Sequence, residues 1–80
     1  MPIAYHGTTR AVAQQAVSEG LKKPAPVFTE DRRRAARKAE ALLVIDPEQA
    51  GMARAPGYKT PHWWTDGDIP AEALNMEIIG

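Results

Sequence analysis

The sequence predicts an α+β fold in which two helices pack on a small sheet, in one domain spanning residues 1–80. Three observations carry this reading. Short apolar runs of strand composition alternate with two helical stretches, and glycine, proline or an Asp-Pro pair closes most of them. Fourteen alanines leave only 21 larger apolar side chains, enough for one thin core.

Ile3-Ala4-Tyr5-His6 is a short apolar run closed by Gly7, which predicts a strand entering a tight turn. Thr8 and Thr9 then offer hydroxyls to the free amides of a helix start. Val12, Ala13, Ala16 and Val17 recur at helical spacing, so the first helix runs from about Thr9 to Glu19. Gly20 is its expected left-handed cap, and Leu21 the apolar residue that folds back on the last turn. After a loop from Lys22 to Pro26, Val27-Phe28-Thr29 has strand composition.

Glu30 and Asp31 place acid at the start of a second helix, expected from about Asp31 to Ala41. Its apolar side is Ala35, Ala36, Ala39 and then Leu42 or Leu43, and its arginines face water. Leu42-Leu43-Val44-Ile45, closed by Asp46-Pro47, predicts a buried central strand. Beyond it the signal weakens. Glu48 to Ala50 fits one helical turn, and Met52 to Pro61 a loop expected to be mobile. His62 to Thr65 fits a strand, Pro70 to Leu74 a short helix and Met76 to Ile79 a terminal strand.

Ten basic and ten acidic residues cancel, but they are segregated: residues 1–40 carry a formal +4 and residues 41–80 a formal −4. Mutual attraction of the two halves within one fold is the plain explanation. Arg32, Arg33, Arg34, Arg37 and Lys38 form a basic stripe of the kind that meets phosphate, but Glu30, Asp31 and Glu40 flank it, so direct nucleic-acid binding is not expected. No run approaches the roughly 18 apolar residues of a membrane span, and no basic region precedes an apolar one at the N-terminus. A cytoplasmic protein is expected.

The chain has no cysteine, and its two histidines stand 56 positions apart, so no metal site is expected. No glycine pattern of a dinucleotide fold or P-loop follows Gly7. What remains is Tyr5-His6-Gly7-Thr8-Thr9. A histidine at a strand end, a glycine that admits close backbone approach and hydroxyl residues opening a helix set donors and acceptors at one sheet edge. The same pentapeptide also reads as a strand end, a turn and a helix cap with no ligand.

The order of landmarks adds to this. Tyr5-His6-Gly7-Thr8, the helix closing on Gly20-Leu21, Val27-Phe28-Thr29 with Asp31 behind it, an Ala-rich helix, Leu43-Val44-Ile45-Asp46, and Trp64-Thr65 ahead of Ile69-Pro70 and Leu74 follow one another. In this order the chain resembles the catalytic lobe of the RNA 2′-phosphotransferases, members of the ADP-ribosyltransferase superfamily, over roughly residues 4–75. The resemblance implies a split, mainly antiparallel sheet with NAD bound in the cleft between its halves. It implies that His6 bonds the nicotinamide ribose, that the Gly7 backbone grips the carboxamide, that Thr8 shapes the pocket and that Thr29 is the hydroxyl of the second motif strand. Arg10, at the start of the first helix, is either a phosphate contact in that cleft or a solvated surface residue.

Two departures qualify what the resemblance implies. The phosphotransferases carry a separate RNA-gripping N-terminal lobe with a catalytic arginine, which is absent ahead of Met1, so transfer of an RNA 2′-phosphate is not expected. The ADP-ribosylating relatives place an acceptor-orienting glutamate on a third motif strand, where this chain offers Asp66 and Asp68. Asp66 is the catalytic candidate beside His6, for an acceptor the sequence does not name. A carboxylate one methylene shorter reaches differently, and a positioned base is sensitive to that.

A non-catalytic reading stands beside this one: a small inhibitor or binding module, such as a phage-encoded anti-CRISPR-type protein covering a protein of a host nucleic-acid machine. Asp46, Glu48, Asp66, Asp68, Glu72 and Glu77 would then imitate phosphates, with Trp63 and Trp64 as interface anchors. Strand alternation predicts that one of the two tryptophans is in the core and the other on the opposite face.

Overall fold

The computed structural model describes residues 2–80. Six segments reach strand conformation, β1 (Ala4–Thr8), β2 (Phe28–Thr29), β3 (Ala41–Ile45), β4 (Ala53–Arg54), β5 (His62–Trp64) and β6 (Leu74–Ile78), and β3, expected to be central, stands second from the edge. Two helices, α1 (Arg10–Glu19) and α2 (Arg32–Ala36), complete the α+β fold. The strands form one sheet in the order β4-β5-β2-β1-β3-β6, and every neighbouring pair is antiparallel.

The sheet is uneven. The β1–β3 and β3–β6 ladders each hold five residue pairs, whereas β1 and β2 meet at the single pair Tyr5↔Thr29. Beyond that pair β1 continues through His6, Gly7 and Thr8 with no further β2 partner. A half of long strands and a half of two- and three-residue strands are therefore joined at one narrow point.

Pairing register fixes which side chains share a face. Ala4, His6 and Thr8 lie on the side of Leu43 and Ile45, where α1 packs over β3 and β6 and buries Ala13 and Ala16 in the main core with Phe28, Trp63, Ile69 and Leu74. Tyr5, Gly7 and Leu42 lie on the other side, where α2 packs on β1. Leu42 is fully buried on that second side, so β3 is covered on both faces, as its unbroken apolar run predicts.

Thr9 caps α1, its Oγ1 accepting from the Val12 amide at 3.2 Å, and Thr8 remains in the strand. Gly20 ends the helix with φ 81° and ψ −179°, an extended positive-φ conformation rather than the left-handed helical one predicted. A Cβ there would lie 2.6 Å from the Ile69 carbonyl oxygen, because the chain turns at once into the Leu21↔Ile69 bridge.

Several expectations are corrected. The strand does not stop at Gly7; it runs to Thr8, because β3 offers a pairing partner along its whole length. The second helix ends at Ala36 and not at Ala41: Lys38 takes φ 61°, the backbone leaves the helix, and Ala41 is drawn into the sheet opposite Thr8 and Ile78. Helix propensity of an Ala-rich stretch loses there to sheet pairing. The Met52–Pro61 segment is not a plain loop, since β4 forms within it and pairs with β5. The segment after Pro70 closes as a single 3-10 turn, Ala71–Ala73, and β6 starts at Leu74. Among the described residues no helix is long and apolar enough to cross a membrane.

Candidate functional site

His6 stands at the narrow joint. Its ring lies between Leu43 and Phe28 on the α1 face, 5.7 Å from the Phe28 centroid at an interplanar angle of 49°. The ring is half-buried, and burial pushes its pKa below the ordinary 6.5 by penalising the charged imidazolium; a hydrogen bond with the Val27 backbone partly opposes this. At neutral pH the imidazole is therefore uncharged; its single N–H is engaged by the Val27 backbone, which leaves the other ring nitrogen as an acceptor.

Gly7 occupies the next position with its missing side chain directed at α2. A Cβ there would overlap the Ala35 carbonyl oxygen and lie 3.0 Å from Ala39 Cβ. The close approach that only glycine permits is thus made by the protein's own helix. Its φ lies outside the left-handed region, so the position is selected by space and not by backbone conformation.

Strand alternation divides the four residues the sequence groups around NAD. His6 and Thr8 share the α1 face, while Gly7 and Thr29 share the α2 face. Thr29 is buried, and its Oγ1 accepts from the Asp31 amide at 3.1 Å, starting the turn that Asp31 caps through Arg34. The Thr8 carbonyl accepts from the Glu40 amide at 3.0 Å. Arg10 is held at the far end of β1 and α1, where its guanidinium donates to the Gly80 carbonyl at 2.9 Å and its amide to Glu40 at 2.9 Å.

The tryptophans separate by face as alternation requires. Trp63 is buried, with Arg54 stacked over its ring at 5.1 Å and its indole N–H donating to Glu30 at 2.7 Å. Trp64 is 41% exposed on the opposite side. Asp66 lies exposed in the bend after β5, and Asp68 accepts from the Lys23 amide at 2.7 Å. Of the other acidic residues, Asp46 caps the turn at Glu48 and Gln49, and Glu77 pairs with Arg32. These local bonds account for much of the acidic half without a partner.

Two features escape sequence reasoning. Glu30 reads as a first-turn helix acid, yet it is the carboxylate fixed by Trp63 on the His6 side of the sheet. His62 reads only as a strand residue, yet it is buried, stacked on Tyr58 at 3.8 Å with a 10° interplanar angle, and its Nδ1 bonds the Thr60 carbonyl at 2.7 Å. The register pair Thr29↔His62 makes this visible only once strand pairing is known. A cleft of about 450 Å³ opens elsewhere, between Ile3, Val44, Asp46 and Glu72, and none of His6, Gly7, Thr8, Thr29 or Asp66 lines it.

No protein-family model matches the chain, and no curated protein matches its sequence.

Proposed function

We propose that the chain is an NAD-binding domain of the ADP-ribosyltransferase kind that holds the nicotinamide ribose at the joint between β1 and β2. The observation that carries this is the narrowing of the sheet to the pair Tyr5↔Thr29, with the uncharged His6 ring at that point. With its N–H held by the Val27 backbone, the neutral imidazole keeps one nitrogen to accept from a ribose hydroxyl, and Thr8 adds a hydroxyl on the same face. Gly7 takes part only through its backbone, since α2 fills its side-chain direction.

Bound NAD would supply an activated N-glycosidic bond. The chain's share is to hold and orient the ribose, with Asp66 assigned to the acceptor side. Binding is expected to exceed turnover, because a solvent-exposed aspartate in a bend is a poorly positioned base. Calorimetric titration with NAD tests this: binding by the native chain that is lost in His6→Ala, with the melting temperature retained, supports the reading, and absence of binding by the native chain overturns it.

A second reading, a non-catalytic module that covers a protein of a nucleic-acid machine, is favoured by one observation: Trp64 and Tyr58 are both exposed, at 41% and 47%. Exposed aromatics of this size are common interface anchors. Loss of a stoichiometric partner in Trp64→Ala, with His6→Ala silent, would select this reading.

A further inference from the structure

We infer that the β6 edge is a self-association surface at which a second copy of this chain adds its own β6 antiparallel, making one sheet continuous across two molecules. The inference is independent of the NAD reading. A strand at the border of a sheet presents a row of unpaired backbone donors and acceptors, and the groups that satisfy such a row are another strand's.

The two borders of this sheet are unlike. β4 is two residues long, carries Arg54 and runs into Pro56-Gly57, a short and charged edge of the guarded kind. β6 is five residues long, pairs with β3 in unbroken register, and contains no proline, lysine or arginine. Its one charge, Glu77, sits in an exposed ion pair with Arg32 of the same molecule, a single acid and not a run of like charge guarding the edge. Helix α1 packs on the face of β6 and leaves its outer border as the end of the strand order.

The occupant follows from what this strand matches. An antiparallel pair of β6 strands centred on Met76 sets Asn75 of each copy opposite Glu77 of the other, and Leu74 opposite Ile78. Ile78, 46% exposed, thereby gains an apolar neighbour on the α1 face, and no like charges meet. Zero net charge removes long-range repulsion between copies. A five-residue ladder is a small interface, so the association is concentration-dependent and in the micromolar range or weaker.

Sedimentation equilibrium of the full chain, from low-micromolar to near-millimolar concentration, is the test. The expected result is a mass rising from 8.7 kDa toward twice that value. Asn75 is exposed, so its variants are expected to fold, which circular dichroism checks. In the Met76-centred register Asn75→Lys faces Glu77 and is expected to tighten the dimer about three- to tenfold, while Asn75→Glu weakens it by a similar factor. A generic edge would instead be blocked by the lysine. A native chain that stays monomeric throughout, or an Asn75→Lys variant that associates no more tightly than the native chain, overturns the proposal. Should a variant melt early, concentration-dependent protection of the β6 amides in the native chain decides the same question.

Discussion

Gly7 and Ala35 touch backbone to backbone: the carbonyl of Ala35 in α2 occupies the space where a Gly7 side chain would begin. The glycine of the His-Gly-Thr segment is therefore a seat for a helix. Gly7→Ala is expected to destabilise the fold by about 3 kcal/mol or more, because α2 must lift from β1 and uncover Leu42. A chemical denaturation curve checks this, and a variant within about 0.5 kcal/mol of the native chain would show that α2 does not seat there.

The two neighbouring tryptophans are expected to respond differently. Trp63→Phe keeps the buried ring but removes the indole donor from half-buried Glu30, at a cost of about 1–2 kcal/mol. Trp64→Phe, on the exposed side, should stay within about 0.5 kcal/mol. Paired urea titrations measure both, and equal costs would contradict the facial separation.

Much of the fold was legible in the sequence, for identifiable reasons. Helix α1 declared itself through Thr9, the Val12–Val17 spacing and Gly20, all local signals, and β3 through an apolar run that only a doubly covered strand requires. What was not legible depended on long-range pairing. Ala41 looks helical until β1 and β6 claim it, and Ala53–Arg54 looks like loop until β5 runs beside it. The candidate site followed the same rule. His6 could be singled out from its neighbours in sequence, whereas the division of His6 and Thr8 from Gly7 and Thr29 appears only when alternation is applied to a known register.

The caps offer a smaller test of the same local logic. Thr9→Ala removes the acceptor of the Val12 amide and should cost about 1 kcal/mol, while Thr8→Ala, which removes no cap, should cost less. Thermal melting of the pair ranks them, and a reversed order would return the cap to Thr8.

His6 also gives stability a pH dependence of definite sign. Burial lowers its folded pKa below 6.5, so the unfolded chain takes up a proton first as pH falls. The contribution is complete above 6.5 and is lost as pH drops from 6.5 toward the folded value. Denaturation midpoints from about pH 7 to pH 5 should fall more steeply for the native chain than for His6→Gln. Parallel slopes would mean that the ring titrates as in the unfolded chain.

The central claim, that the joint between β1 and β2 holds a nicotinamide ribose at His6, is tested most directly by ligand-observed NMR of NAD against the native chain, His6→Ala and Trp64→Ala. Saturation transfer to the nicotinamide ribose protons in the native chain and in Trp64→Ala, lost in His6→Ala while its circular dichroism spectrum is unchanged, is the predicted result. No transfer to NAD from the native chain, or transfer undiminished in a folded His6→Ala, would contradict it.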